Sequence, residues 1–214
     1  IYKRDTSTYQ WSQTQTILTS VGGTRFGISV AISQNGGRIA AGEPEYAVGL
    51  DKDGRVRVFQ DNGSGVYSLL YNNTNSDHAQ SLTGTGPAFD TNGYFGSYVG
   101  LSSDGNILAV GSRNAQAPHG QTYGIIRKYI YNSTYQHGAR WEIGVNYIHE
   151  YGDDGYPGGS GVFGDGSNMT SLAGDGTRLA MGDIIHHTNR PSSRVYVRDD
   201  IPVSGVPTIS AWSM

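Results

Sequence analysis

One phrase recurs three times and constrains the fold more than any other feature. It reads FGISVAISQNGGRIAAG at residues 26–42, FGSYVGLSSDGNILAVG at 95–111 and GSNMTSLAGDGTRLAMG at 166–182. The turn residues Asn35, Asp104 and Asp175 stand 69 and 71 residues apart, a period that marks a structural repeat. Within each copy an apolar run leads to Asn35-Gly36, Asp104-Gly105 or Asp175-Gly176, and a second apolar run ends at Gly42, Gly111 or Gly182. Asn-Gly and Asp-Gly readily supply the positive φ angles of a tight turn, so each copy predicts a β-hairpin.

After each hairpin the sequence predicts a variable loop and a third strand, at Arg55 to Phe59, Ile125 to Tyr131 and Arg194 to Arg198. A fourth, aromatic-bearing strand follows at Val66 to Tyr71, Trp141 to Val145 and Thr208 to Met214. The 32 glycines and 15 tyrosines suit many short strands, and no stretch shows helical periodicity. The expected fold is all-β. Four antiparallel strands per unit, stacked on neighbouring units, describe the blades of a β-propeller. Ile1 to Asp5 and Trp11 to Leu18 read as a third and fourth strand without a first and second, so about three and a half blades are expected, forming part of a larger ring. The boundaries are 1–18 for the half blade, 19–93 and 94–161 for two blades with long trailing loops, and 162–214 for the last, all in one propeller domain. The loops Asn72 to Gly93 and Tyr147 to Gly161 read as flexible links.

This pattern, FGxxVxxSxDGxxLAVG with a third strand and an aromatic fourth, resembles the FG-GAP type of β-propeller repeat, to which the integrin α-subunit head belongs. Phe26-Gly27 and Phe95-Gly96 match the FG, and Gly42-Glu43-Pro44 approximates the GAP. The third copy departs, with Phe163-Gly164 three residues ahead of the aligned Gly166, and neither Gly111-Ser112 nor Gly182-Asp183 carries the proline. The resemblance implies an extracellular, non-catalytic propeller for adhesion, for protein or glycan binding, or as a structural subunit of a surface assembly, with calcium as the usual cofactor. Four N-x-S/T sequons, at Asn62, Asn72, Asn132 and Asn168, agree with a secreted or cell-surface glycoprotein. Lacking a signal peptide and starting at Ile1, the sequence reads as a processed or partial polypeptide.

Calcium requires several oxygen ligands at close range, yet each repeat turn carries at most one acid. Asp51 and Asp53, in Asp51-Lys52-Asp53-Gly54, make the best candidate site, with Asp153, Asp154 and Asp165 a weaker cluster. His186-His187 on a strand would point to opposite faces and chelate poorly. His149-Glu150 beside Asp153 is the nearest approach to an acid and base on one loop, and neither a G-x-S-x-G elbow nor a cysteine offers a nucleophile. No catalytic residue is therefore expected. A glycoside hydrolase or lyase at the central channel is the alternative, with Arg25, Tyr94 and Asp165 at its first strands, and self-assembly into a ring or filament is a third reading. Trp11, Trp141 and Trp212 recur on fourth strands and should pack between blades. A net charge of −3 gives no reason to bind nucleic acid, and Lys3-Arg4 and Arg127-Lys128 read as solvated strand positions. No apolar run approaches a membrane span.

Overall fold

The computed structural model describes residues 1–19, 22–47, 52–70, 82–83, 93–112, 125–134, 140–148, 170–187 and 190–199. All regular structure among them is β, in four antiparallel sheets. β1 (Tyr2–Arg4) and β2 (Trp11–Gln13) pair alone. β3 (Val30–Ile32), β4 (Arg38–Glu43), β5 (Arg55–Asp61) and β6 (Tyr67–Leu69) follow in spatial order, and β7 (Leu82–Thr83) also pairs with β5. β8 (Phe95–Leu101), β9 (Ile107–Ser112), β10 (Ile125–Asn132) and β11 (Arg140–Ile148) make the next sheet. β12 (Thr170–Leu172), β13 (Arg178–His187) and β14 (Arg190–Asp199) make the last. The expected hairpins and third strands are present, as are the fourth strands of the two middle sheets. The fourth strand at Thr208 to Met214, with Trp212, lies outside the described residues. So do Phe163, Gly164, Asp165 and Gly166. β7 shows that part of the 72–93 loop adds to the sheet, along the same edge of β5 that β6 occupies.

The hairpin turns work differently from a two-residue turn. Only the glycine takes a positive φ, 71° at Gly36, 73° at Gly105 and 72° at Gly176. Its amide donates back three residues, as in Gly36 N to Ser33 O at 2.9 Å. The Asn or Asp contributes its side-chain oxygen instead. Asn35 Oδ1 accepts from Gly37 N at 2.8 Å, Asp104 Oδ1 from Asn106 N at 2.9 Å and Asp175 Oδ1 from Thr177 N at 2.9 Å. These bonds favour the ionised acids. The Ser102 hydroxyl is the main cause of the lowered pKa of Asp104, and the Thr177 amide of that of Asp175.

Sheets stack through equivalent positions. Gln34 N donates to Ser103 O at 3.0 Å, and Ser103 N donates to Gly174 O at 2.7 Å, so one ladder of backbone bonds crosses all three turns. Long side chains reinforce it. Arg38 Nη1 reaches Gly105 O at 2.9 Å, and Lys128 Nζ reaches Gly176 O at 2.8 Å. Between the two middle sheets lies the core, where Ala40, Val56 and Val58 meet Phe95, Val99, Leu101, Leu108, Val110, Tyr129 and Trp141. Each large apolar side chain buried there contributes roughly 1.5–3 kcal/mol.

Two expectations are corrected. Arg127 and Lys128 are buried, because β10 lies inside a sheet covered on both faces and the lysine stem runs under the next turn. Lys3 and Arg4 are exposed as expected. Trp141 is 5% exposed and packs on Tyr131 and beneath Arg38, whereas Trp11 is 66% exposed. The two tryptophans hold the same register, Trp11 opposite Arg4 and Trp141 opposite Tyr131. Their burial differs because Trp141 has a neighbouring sheet to pack against. Tyr67 takes that register opposite Asp61 and donates its hydroxyl to Gly36 O.

Candidate functional site

The FG and GAP-like segments meet at one end of the stack. Gly42, next to last in β4, lies so close to Gly96 that a Cβ there would lie 1.9 Å from the Gly96 carbonyl oxygen. Gly96 itself has φ +88°, and Gly54 forms a parallel bridge with Phe95. Phe95 is thereby driven fully into the core, edge-on to Tyr129, while Phe26 is half-buried against Phe59. The residues ahead of each FG, Arg25 and Tyr94, both take left-handed conformations, with φ 55° and 52°. Non-glycine residues adopt this conformation only when the surroundings fix it.

This end holds a fully buried carboxylate that sequence reasoning did not single out. Register places Glu43 opposite Arg55 and Ala41 opposite Arg57, so both guanidinium groups converge on one oxygen. Glu43 Oε2 accepts from Arg55 Nε, and from Arg57 Nε at 3.2 Å and Nη2 at 3.0 Å. Glu43 Oε1 accepts from Thr24 Oγ1 at 2.5 Å and Thr19 Oγ1 at 2.8 Å. Burial is the largest single influence and opposes ionisation, but the bonds from Arg55, Thr24, Thr19 and Arg57 together outweigh it and lower the pKa. Each arginine also lies over a ring, Arg55 Cζ 3.5 Å from the Tyr46 centroid and Arg57 Cζ 4.4 Å from that of Phe26. The visible signal was the alternation Arg55-Val-Arg57-Val on the strand after the GAP-like Gly42-Glu43-Pro44.

Around this latch runs an accessible rim. Glu45 bridges Arg25 Nε at 2.7 Å and Lys52 Nζ at 2.9 Å, with both cations half exposed. Tyr94 joins the same rim through its amide, which donates to Lys52 O at 3.2 Å. The latch commits Arg55 and Arg57 to Glu43, and the rim sets Arg25 and Lys52 against Glu45, with Asp53 next to Lys52 in the chain. The half-exposed Arg25 and Lys52 side chains can receive anionic or hydroxyl-rich groups. Glu43 itself is saturated with donors, which leaves it no lone pair or proton for acid–base work.

The other sequence-predicted positions are dispersed. Asp53 is half-buried and its carbonyl accepts from Phe95 N at 2.9 Å, while Asp51 lies outside the described residues. No cluster of three or more His, Cys, Asp or Glu that could hold a metal occurs among the described residues. Asp153, Asp154, His149 and Glu150 lie outside them. His186 and His187 occupy successive positions on β13, opposite Pro191 and Arg190. Asn62 sits exposed in the β5–β6 turn, with Oδ1 accepting from Ser64 N at 2.9 Å. Asn132 ends β10 opposite Arg140, and its Oδ1 accepts from the amide of Thr134 at 3.0 Å and from its hydroxyl at 3.1 Å. Asn72 and Asn168 lie outside the described residues. Gly182 lies on β13 opposite Val195, and Gly111 packs on Tyr98 within its own sheet. No helix among the described residues is long and apolar enough to cross a membrane. Compared with known protein families and with curated proteins, the chain matches none.

Proposed function

We propose that this chain is a section of an FG-GAP-type β-propeller that works outside the cell as a non-catalytic binding head for acidic glycans or acidic protein segments. One observation carries the reading. The rim cations Arg25 and Lys52, both paired with Glu45, are half exposed at the stack end where the FG and GAP-like segments converge, while the nearest buried carboxylate is fully consumed by structural bonds. Half-exposed cations held in place on a rigid rim suit recognition of carboxylate- or sulfate-bearing ligands. The sequons in the Asn62 and Asn132 turns support a secreted glycoprotein, since both turns join third to fourth strands at the sheet edge. A weak calcium site would use Asp51 and Asp53.

A propeller hydrolase or lyase would need a carboxyl group free to exchange a proton, which Glu43 is not. The test is an array of sialylated, sulfated, uronic-acid and neutral glycans probed with the chain and with an Arg25→Ala/Lys52→Ala variant. Retention on acidic glycans, lost in the variant and weakened by salt, is the expected result. Equal retention by the variant, or cleavage of an arrayed glycan, would overturn the reading.

A further inference from the structure

The outer face of β3 is apolar and bare, although its repeat equivalent is covered. Val30 and Ile32 are 65% and 60% exposed, and Ile28 ahead of them is exposed as well. Val99 and Leu101, at the same positions one repeat later, are only 8% and 9% exposed. They are covered by the hairpin β3–β4 of the preceding unit, which presents small side chains from Ala31 and Ala40 and whose Ser29 Oγ accepts from Val99 N at 2.8 Å. An open strand edge lies beside it. β1 and β2 occupy third- and fourth-strand positions next to the β3–β6 sheet, held by Gln15, whose side chain bonds both Tyr67 N and Tyr67 O at 2.8 Å. Among the described residues the other edge of β1 pairs with nothing, whereas β5 and β10 at the same position pair with β4 and β9.

We infer that the β1 edge and the β3 face together form a docking site for one β-hairpin of this repeat's own first-and-second-strand type. Its second strand would pair with β1, and its small-residue face would cover Val30 and Ile32 as Ala31 and Ala40 cover Val99 and Leu101. The surface is continuous in pattern with the two sheet-to-sheet interfaces already formed, and backbone pairing to an open edge supplies the register. The inference rests on the stacked-unit reading of the fold, but not on any ligand at the rim.

The probe is a cyclised synthetic peptide of residues 26–43, with Val30→Lys and Ile32→Lys on its unused face for solubility, titrated into the full chain by fluorescence anisotropy. Saturable binding is expected, weakened more than tenfold when the chain itself carries Ile32→Lys, because one large apolar side chain leaves the interface. Ile32 is exposed, so an unchanged melting temperature shows that the variant folds. Absence of saturation, or equal binding by the Ile32→Lys chain, would overturn the inference. A chain that sediments as a dimer, and that Ile32→Lys returns to monomer, would assign the face to a second copy and overturn the hairpin as occupant. Amide protection at Gln34 and Ser103, measured separately, reports the stacking itself, so failure of the docking site is distinguishable from failure of the stacked fold.

Discussion

Replacing Glu43 by glutamine keeps the side chain's shape and removes its charge, which isolates the electrostatic role of the latch. The carboxylate accepts five hydrogen bonds, three of them from Arg55 and Arg57. In the variant the amide oxygen can face the arginines and the amide nitrogen can donate to Thr19 and Thr24, whose hydroxyls turn to accept. Three charge-assisted bonds then become bonds to a neutral acceptor, each weaker by roughly 1 kcal/mol, and two guanidinium groups lose their counter-charge. The expected cost is about 2–4 kcal/mol, below the 3–5 of deleting one partner of a buried pair outright. For a chain of this length, that lowers the melting temperature by roughly 4–16 °C. Urea denaturation followed by circular dichroism measures it.

The same latch sets a pH dependence. The folded pKa of Glu43 is lowered from an ordinary value of 4.5, so below that value the unfolded chain takes up the proton first. Stability from this group is complete above the unfolded pKa and is lost as pH falls through the lowered folded one. Glu43→Gln should flatten that acid limb, and Asp104 and Asp175 account for part of what remains. A Glu43→Gln variant within 0.5 kcal/mol of the parent, a margin typical of neutral surface changes, with an unchanged acid limb, would refute the argument.

The two tryptophans offer a paired test by denaturation: Trp141→Ala should cost about 3–5 kcal/mol, while Trp11→Ala should stay within about 0.5 kcal/mol. Gly42→Ala places a methyl group against the Gly96 carbonyl, where only backbone can yield, so a loss of about 1–3 kcal/mol or failure to fold is expected in the same assay. Titration calorimetry with calcium should show at most one weak site that Asp53→Asn abolishes, and tight binding unaffected by that change would relocate the site. Expressed through a secretory route, the chain should lose mass on enzymatic deglycosylation, with Asn62→Gln removing one glycan.

The hairpins were legible because an Asn-Gly or Asp-Gly turn and its flanking alternation are local signals. Even so, the dipeptide's mechanism was not, since only the glycine adopts a positive φ and the acid serves as an acceptor. Burial that depends on a neighbouring sheet could not be read locally. Trp11 and Trp141 look alike in sequence, and their exposures differ because one has a sheet against it. Arg127-Lys128 resembled a solvated pair until β10 was placed between two sheets. The Glu43 latch required knowing the β4–β5 register, which brings Arg55 and Arg57 to one carboxylate from positions 12 and 14 residues away.

The fold is built from units stacked through equivalent positions, and two amides report that stacking directly. Gln34 is an exposed turn residue whose N–H donates to Ser103 O, and the N–H of Ser103 in turn donates to Gly174 O. Hydrogen exchange resolved by NMR should find both amides slowed by at least about a hundredfold relative to unstructured chain. Exchange of both at the rate of an open, solvent-facing hairpin turn, in a chain whose strand amides remain protected, would show that the units do not stack.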